Sequence, residues 1–116
     1  MYLNDWEHDG FAGMVRDFGD LGDWKDLNVL LASYGCANYE GNAFVLFQRD
    51  GKLYEVHGSH CSCYGLEDQW SPEETNLASL QHRLDGGSLG HGYGDNEFAA
   101  ELRGVLASLH GARRPQ

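Results

Sequence analysis

The sequence predicts a single α+β domain over 1–116, with an antiparallel β-hairpin or three-stranded sheet (about 42–64) packed against three to four helices. Three observations predict it. Asp50-Gly51 separates two runs of strand-forming residues. Leucine recurs at helical spacing in two stretches of the C-terminal half. The chain has 116 residues, 41% of them apolar, enough for one core.

Each element follows in order. Residues 4–19 mix Trp6, Phe11 and Phe18 with Gly10, Gly13 and Gly19, and the pattern predicts a short helix around 9–17. Its glycines weaken it, each costing about 1 kcal/mol inside a helix. A helix is next expected over 24–34. Asp23 would cap it, Trp24, Leu27, Leu31 and Tyr34 would share a face that Leu30 widens, and Gly35 would take the C′ position. The hairpin then pairs 43–49 with 52–57. A two-residue type I′ turn needs positive φ at both central residues, which Asp-Gly supplies. This turn sets Arg49 opposite Lys52, Phe47 opposite Tyr54 and Val45 opposite Val56 on one face. Leu46 then meets Glu55, and Phe44 meets His57, on the other.

A third extended segment is expected over 59–64, reached through Gly58. Ser71-Pro72-Glu73-Glu74 reads as a capping box opening a helix that runs to Leu84, with Leu77, Leu80 and Leu84 inward and Gly86-Gly87 as its stop. Residues 86–94 read as a glycine-rich loop without a phosphate-binding pattern. The last helix is expected over 96–110, capped by Asp95, with Phe98, Leu102, Val105, Leu106 and Leu109 as its apolar stripe and 112–116 as a frayed basic tail.

Charge narrows the function classes. Eighteen acids against eight bases give −10. Residues 1–26 carry seven acids against Arg16 and Lys25, and 64–85 carry five against Arg83. Such a surface repels nucleic acid and anionic lipid and attracts basic protein surfaces. Asp17, Asp20, Asp23 and Asp26 recur every three residues, and Glu67, Asp68, Glu73 and Glu74 form a second acidic group. Carboxylates a few ångströms apart imitate a DNA strand, which has one phosphate per roughly 3.4 Å. These eight residues are the expected partner-binding set. The competing reading is a solvated face that only keeps a small protein soluble.

No apolar run approaches the length of a membrane span, and the N-terminus lacks the basic and apolar regions of a signal peptide, so a cytoplasmic location is expected. The three cysteines, Cys36, Cys61 and Cys63, make a poor disulfide framework and read as free thiols. Val56 to Gly65 nevertheless concentrates polar and nucleophilic side chains. If a metal binds, His57, Cys61 and Cys63 are its candidate ligands, with Cys36 or His82 to complete the set. A Cys–His enzyme would instead use Cys61 or Cys63 with His57 or His60 as base. A lone C-x-C is a weak zinc signal, however, and no third orienting residue marks a catalytic set. The structural reading, with both cysteines facing the core, is the simplest. No cofactor and no enzymatic activity are therefore expected.

Asn42 to Phe47, Asp50 to Val56 and the run Gly58-Ser59-His60-Cys61-Ser62-Cys63-Tyr64-Gly65-Leu66-Glu67 resemble a group of small proteins encoded by bacteriophages and prophages. The resemblance covers roughly 38–84 and carries no catalytic residues over. It implies a phage origin, and with it an inhibitor acting on host machinery in the bacterial cytoplasm. Anti-CRISPR proteins are one such class. The partner would then be a basic subunit of a CRISPR effector, either the surveillance complex or its helicase-nuclease. Trp6, Trp24, Tyr39 or Trp70 would anchor it.

Overall fold

The computed structural model describes residues 1–19, 27–37, 40–60, 65–67, 69–90 and 96–112. Five strands form one mixed sheet in the order of the sequence: β1 (Tyr2–Asn4), β2 (Asn28–Ala37), β3 (Glu40–Arg49), β4 (Lys52–His60) and β5 (Glu73–Thr75). β1 runs parallel to β2, and every other pair is antiparallel. Three helices complete the fold: α1 (Gly10–Phe18), α2 (Leu77–Asp85) and α3 (Ala99–Ala112).

The hairpin has the expected register, with Arg49 opposite Lys52, Phe47 opposite Tyr54 and Val45 opposite Val56. Asp50 and Gly51 both take positive φ, 53° and 76°, as a type I′ turn requires. Both faces of the sheet are covered. On one, Ala32, Ala43, Val45, Phe47 and Val56 pack with Trp6, Met14 and Phe18 and with Leu66 and Trp70. Trp70 stacks on Phe47 at 5.7 Å and meets Phe18 edge-on. On the other, Leu31, Phe44, Leu46 and Leu53 pack with Leu80 and Leu84 of α2, with Phe98 just ahead of α3, and with Leu102 and Leu106 of α3.

Four expectations are corrected. First, the sheet has five strands, not two or three. Second, the segment expected as a helix over 24–34 is β2 from Asn28 onward; residues 24–26 and the proposed cap Asp23 lie outside the described residues. A strand covered on both faces buries consecutive residues, so Leu31, Ala32 and Ser33 are all buried. Such a strand reads as a continuous apolar run and loses its period of two. A register shift between Val29 and Leu31 breaks the alternation further.

Third, Ser71-Pro72-Glu73-Glu74 does not open a helix. Glu73–Thr75 pairs with Leu53, Tyr54 and Glu55 as the edge strand β5. Cross-strand hydrogen bonds to an otherwise open edge outweigh the local capping preference. The N-cap of α2 is Asn76, whose side chain accepts from the Ser79 backbone N–H at 2.8 Å. Fourth, no separate strand begins at Ser59, because β4 continues through Gly58 to His60; residues 61–64 lie outside the described residues. α3 starts three residues later than expected, so Phe98 precedes it; Phe98, Leu102 and Leu106 of the expected stripe are buried, and Val105 and Leu109 partly so. Asp95, Trp24 and Tyr39 lie outside the described residues.

Candidate functional site

The expected acidic set divides into two places. Asp17 lies in the last turn of α1 and is tied down. Its carboxylate accepts from the indole N–H of fully buried Trp6 at 2.7 Å and from Arg16 Nε at 3.3 Å. Arg16 also donates to Asp9 at 3.0 Å. Glu67 is exposed and accepts from the Gly65 backbone N–H at 3.1 Å. It packs against Gly19, which ends α1: a Cβ built on Gly19 would lie 3.7 Å from Glu67 Cγ. The fold thus joins the start of the 67–74 acidic group to the end of α1. Burial, and after it the charges of Cys36, Asp17, Asp5 and Glu67, push the nearby Tyr34 phenol up to about 12.

Glu73 and Glu74 sit on the edge strand β5, and their side chains part. The register puts Glu74 beside Tyr54 on the α1 face and Glu73 beside Glu55 on the α2 face. Glu74 approaches Lys52 at 3.9 Å, while Glu73 contributes to raising the Arg83 pKa. The described carboxylates therefore make no single row. Asp20, Asp23, Asp26 and Asp68 lie outside the described residues.

The sulfur- and histidine-bearing residues separate by face. His57 lies on the face covered by α2 and α3, its ring 5.2 Å from Phe44, and donates from Nε2 to Glu55 at 2.6 Å. Glu55 is 5% exposed and also binds the Arg83 guanidinium through both oxygens, one contact at 2.7 Å. Burial alone would raise the Glu55 pKa. Hydrogen bonds from His57, Arg83 and Thr75 more than offset this and hold the carboxyl well below the usual range. Of the expected metal ligands, His57 is therefore engaged by a carboxylate, and Cys61 and Cys63 lie outside the described residues. His82 is exposed on α2. No group of three or more metal-ligating side chains occurs among the described residues.

His60, three residues beyond His57, is on the opposite face. Its Nδ1 lies 3.5 Å from Sγ of Cys36, which is exposed and not in a disulfide. Cys36 pairs with Gly41 across β2 and β3, and Gly41 pairs with His60 across β3 and β4. The two side chains belong to strands roughly 9.6 Å apart, two spacings of about 4.8 Å. They meet because the residue between them has no side chain. A Cβ on Gly41 would lie 2.5 Å from the Gly35 carbonyl oxygen and 3.2 Å from Cys36 Cβ. The sequence hides this pair, since its alignment depends on residues 28–37 forming a strand.

Gln69 closes the same end of the sheet. Its amide accepts from Ser59 N and donates to the Ser59 and Gly65 carbonyls, all at 2.7 Å. One side chain thereby imitates a neighbouring strand where β5 no longer covers β4. Together these features define an α+β domain with a five-stranded mixed sheet, helices on both faces and a Cys–His pair at one end. No helix among the described residues is long and apolar enough to cross a membrane. Comparison with protein-family models, curated proteins and solved structures returns no match.

Proposed function

We propose that this chain is a non-enzymatic, phage-encoded inhibitor that binds a basic surface of a host defence protein in the bacterial cytoplasm, as an anti-CRISPR protein does. The observation that carries the reading is the convergence of acidic segments at the end of α1. Glu67 packs on Gly19, and Asp5, Asp17 and Glu67 all act on Tyr34. Asp20 and Asp68 are the next residues in sequence after Gly19 and Glu67. A net charge of −10 adds long-range steering toward Lys/Arg surfaces that otherwise hold nucleic acid. The resemblance of residues 38–84 to phage and prophage proteins supports a CRISPR effector subunit as the partner.

The test measures binding of the purified chain to a surveillance complex and to its helicase-nuclease, at low and high salt, with and without competing duplex DNA. The expected result is binding to one of the two that DNA displaces and salt weakens. Absence of binding to either removes the proposed partner. Binding that is indifferent to both salt and DNA removes the acidic-surface mechanism.

A further inference from the structure

We propose that Cys36 and His60 form a binding site for a borderline-soft divalent cation of the zinc type, with Cys36 Sγ and His60 Nδ1 as its two protein donors. The first support is the spacing. Zinc bonds of about 2.3 Å to sulfur and 2.05 Å to nitrogen, at a tetrahedral angle, require donors about 3.6 Å apart. The observed separation is 3.5 Å. Both donors therefore accept one ion with little movement, the thiol giving up its proton to solvent as the metal–sulfur bond forms.

The second support is how the sheet builds the pair. Three residues in register, Cys36, Gly41 and His60, lie on one face across β2, β3 and β4. Any side chain larger than hydrogen in the middle would collide with the Gly35 carbonyl and crowd Cys36. The donors are thus held by regular backbone pairing and not by a loop. The His60 ring is further fixed edge-on against Tyr34 at 6.3 Å.

Among the described residues Cys36 and His60 are the two donors, and the exposure of Cys36 gives further ligands access to the ion. A bound ion would link β2 to β4 across β3. The site is independent of the proposed inhibitory partner.

Cobalt(II) added to the reduced protein provides the test, because a sulfur–cobalt bond gives a near-ultraviolet charge-transfer band that zinc then removes. The expected result is one equivalent bound, with the band lost in Cys36→Ser and cobalt affinity lowered about tenfold or more in His60→Ala. His82→Ala, on the other face, leaves both unchanged. Thermal melting of each variant without metal checks the fold, and zinc should raise the melting temperature of the wild type but not of Cys36→Ser. A band that survives Cys36→Ser and disappears in a Cys61→Ser/Cys63→Ser variant overturns the assignment. So does cobalt affinity unchanged by His60→Ala.

Discussion

Glu55 shows how one residue can tie together elements distant in sequence. Its carboxylate joins β4 to α2 through Arg83, with His57 and Thr75 as further donors. Removing one partner of a buried pair is costly because the other is left uncompensated. Arg83 retains contact with water, with 32% of its side chain exposed, so Glu55→Gln should cost roughly 2–4 kcal/mol, toward the lower end of that effect. The pH dependence follows from the depressed carboxyl pKa. Between the unfolded value near 4.5 and the lower folded value, the unfolded chain binds a proton that the folded chain refuses. Stability therefore rises with pH across that window. The Glu55 contribution is complete at neutral pH and lost as pH falls through the folded value. Urea unfolding across a pH series should show an acid limb in the wild type that flattens in Glu55→Gln. Asp17 makes a similar point about an expected contact residue. Because it satisfies the buried Trp6 indole, Asp17→Ala should lower stability by about 1–3 kcal/mol, visible as an earlier thermal midpoint by tryptophan fluorescence. Lost partner binding in an Asp17 variant thus needs correcting for lost folding.

At the level of elements, the parts set by local rules were legible and those set by tertiary pairing were not. The Asp50-Gly51 turn fixed the β3–β4 register residue by residue, because a two-residue turn leaves one alignment. α1, the inward leucines of α2 and the stripe of α3 were also readable from spacing. β2 was not, since burial on both faces erased its alternation, and Leu31 and Tyr34 within it, with Leu27 just ahead, reproduced a helical spacing. The same error concealed the Cys36–Gly41–His60 row, the part of the candidate site most dependent on register. The α2 boundary failed differently. Ser71 and Glu74 satisfy the capping-box pattern, but β4 has an edge to fill, and Glu73–Thr75 fills it. Asn76, five residues on, has the capping chemistry instead. Asn76→Ala should cost about 1 kcal/mol, and hydrogen exchange should report faster exchange at the Ser79 amide, with β3 protected as before. Equal loss of protection at Ser71–Glu74 would mean that the helix begins where the sequence pattern put it.

For the whole molecule, the surplus of negative charge acts at distances where individual contacts do not. Its effect on a basic partner belongs mainly to the encounter rate, which opposite charge accelerates and salt suppresses. Glu67 is the cleanest probe of that effect among the described acids of the expected set. Asp17 is bound to Trp6 and Arg16, Glu73 lies near Arg83, and Glu74 approaches Lys52. Glu67 is exposed and accepts a hydrogen bond from the Gly65 backbone amide. Glu67→Lys should therefore leave thermal stability nearly unchanged while slowing association with the proposed basic partner by about three- to tenfold at low ionic strength. Glu67→Gln, which removes one charge instead of reversing it, should have about half that effect on a logarithmic scale. Both differences should vanish near 1 M salt, where the screening length is about 3 Å. Stopped-flow association at graded salt separates the alternatives. A loss of binding confined to the dissociation rate and persisting at high salt would make Glu67 a packed interface contact, and the charge of this face incidental. An association rate untouched by either variant would place the encounter surface elsewhere on the molecule, with the β5 edge around Glu74 the next region to reverse.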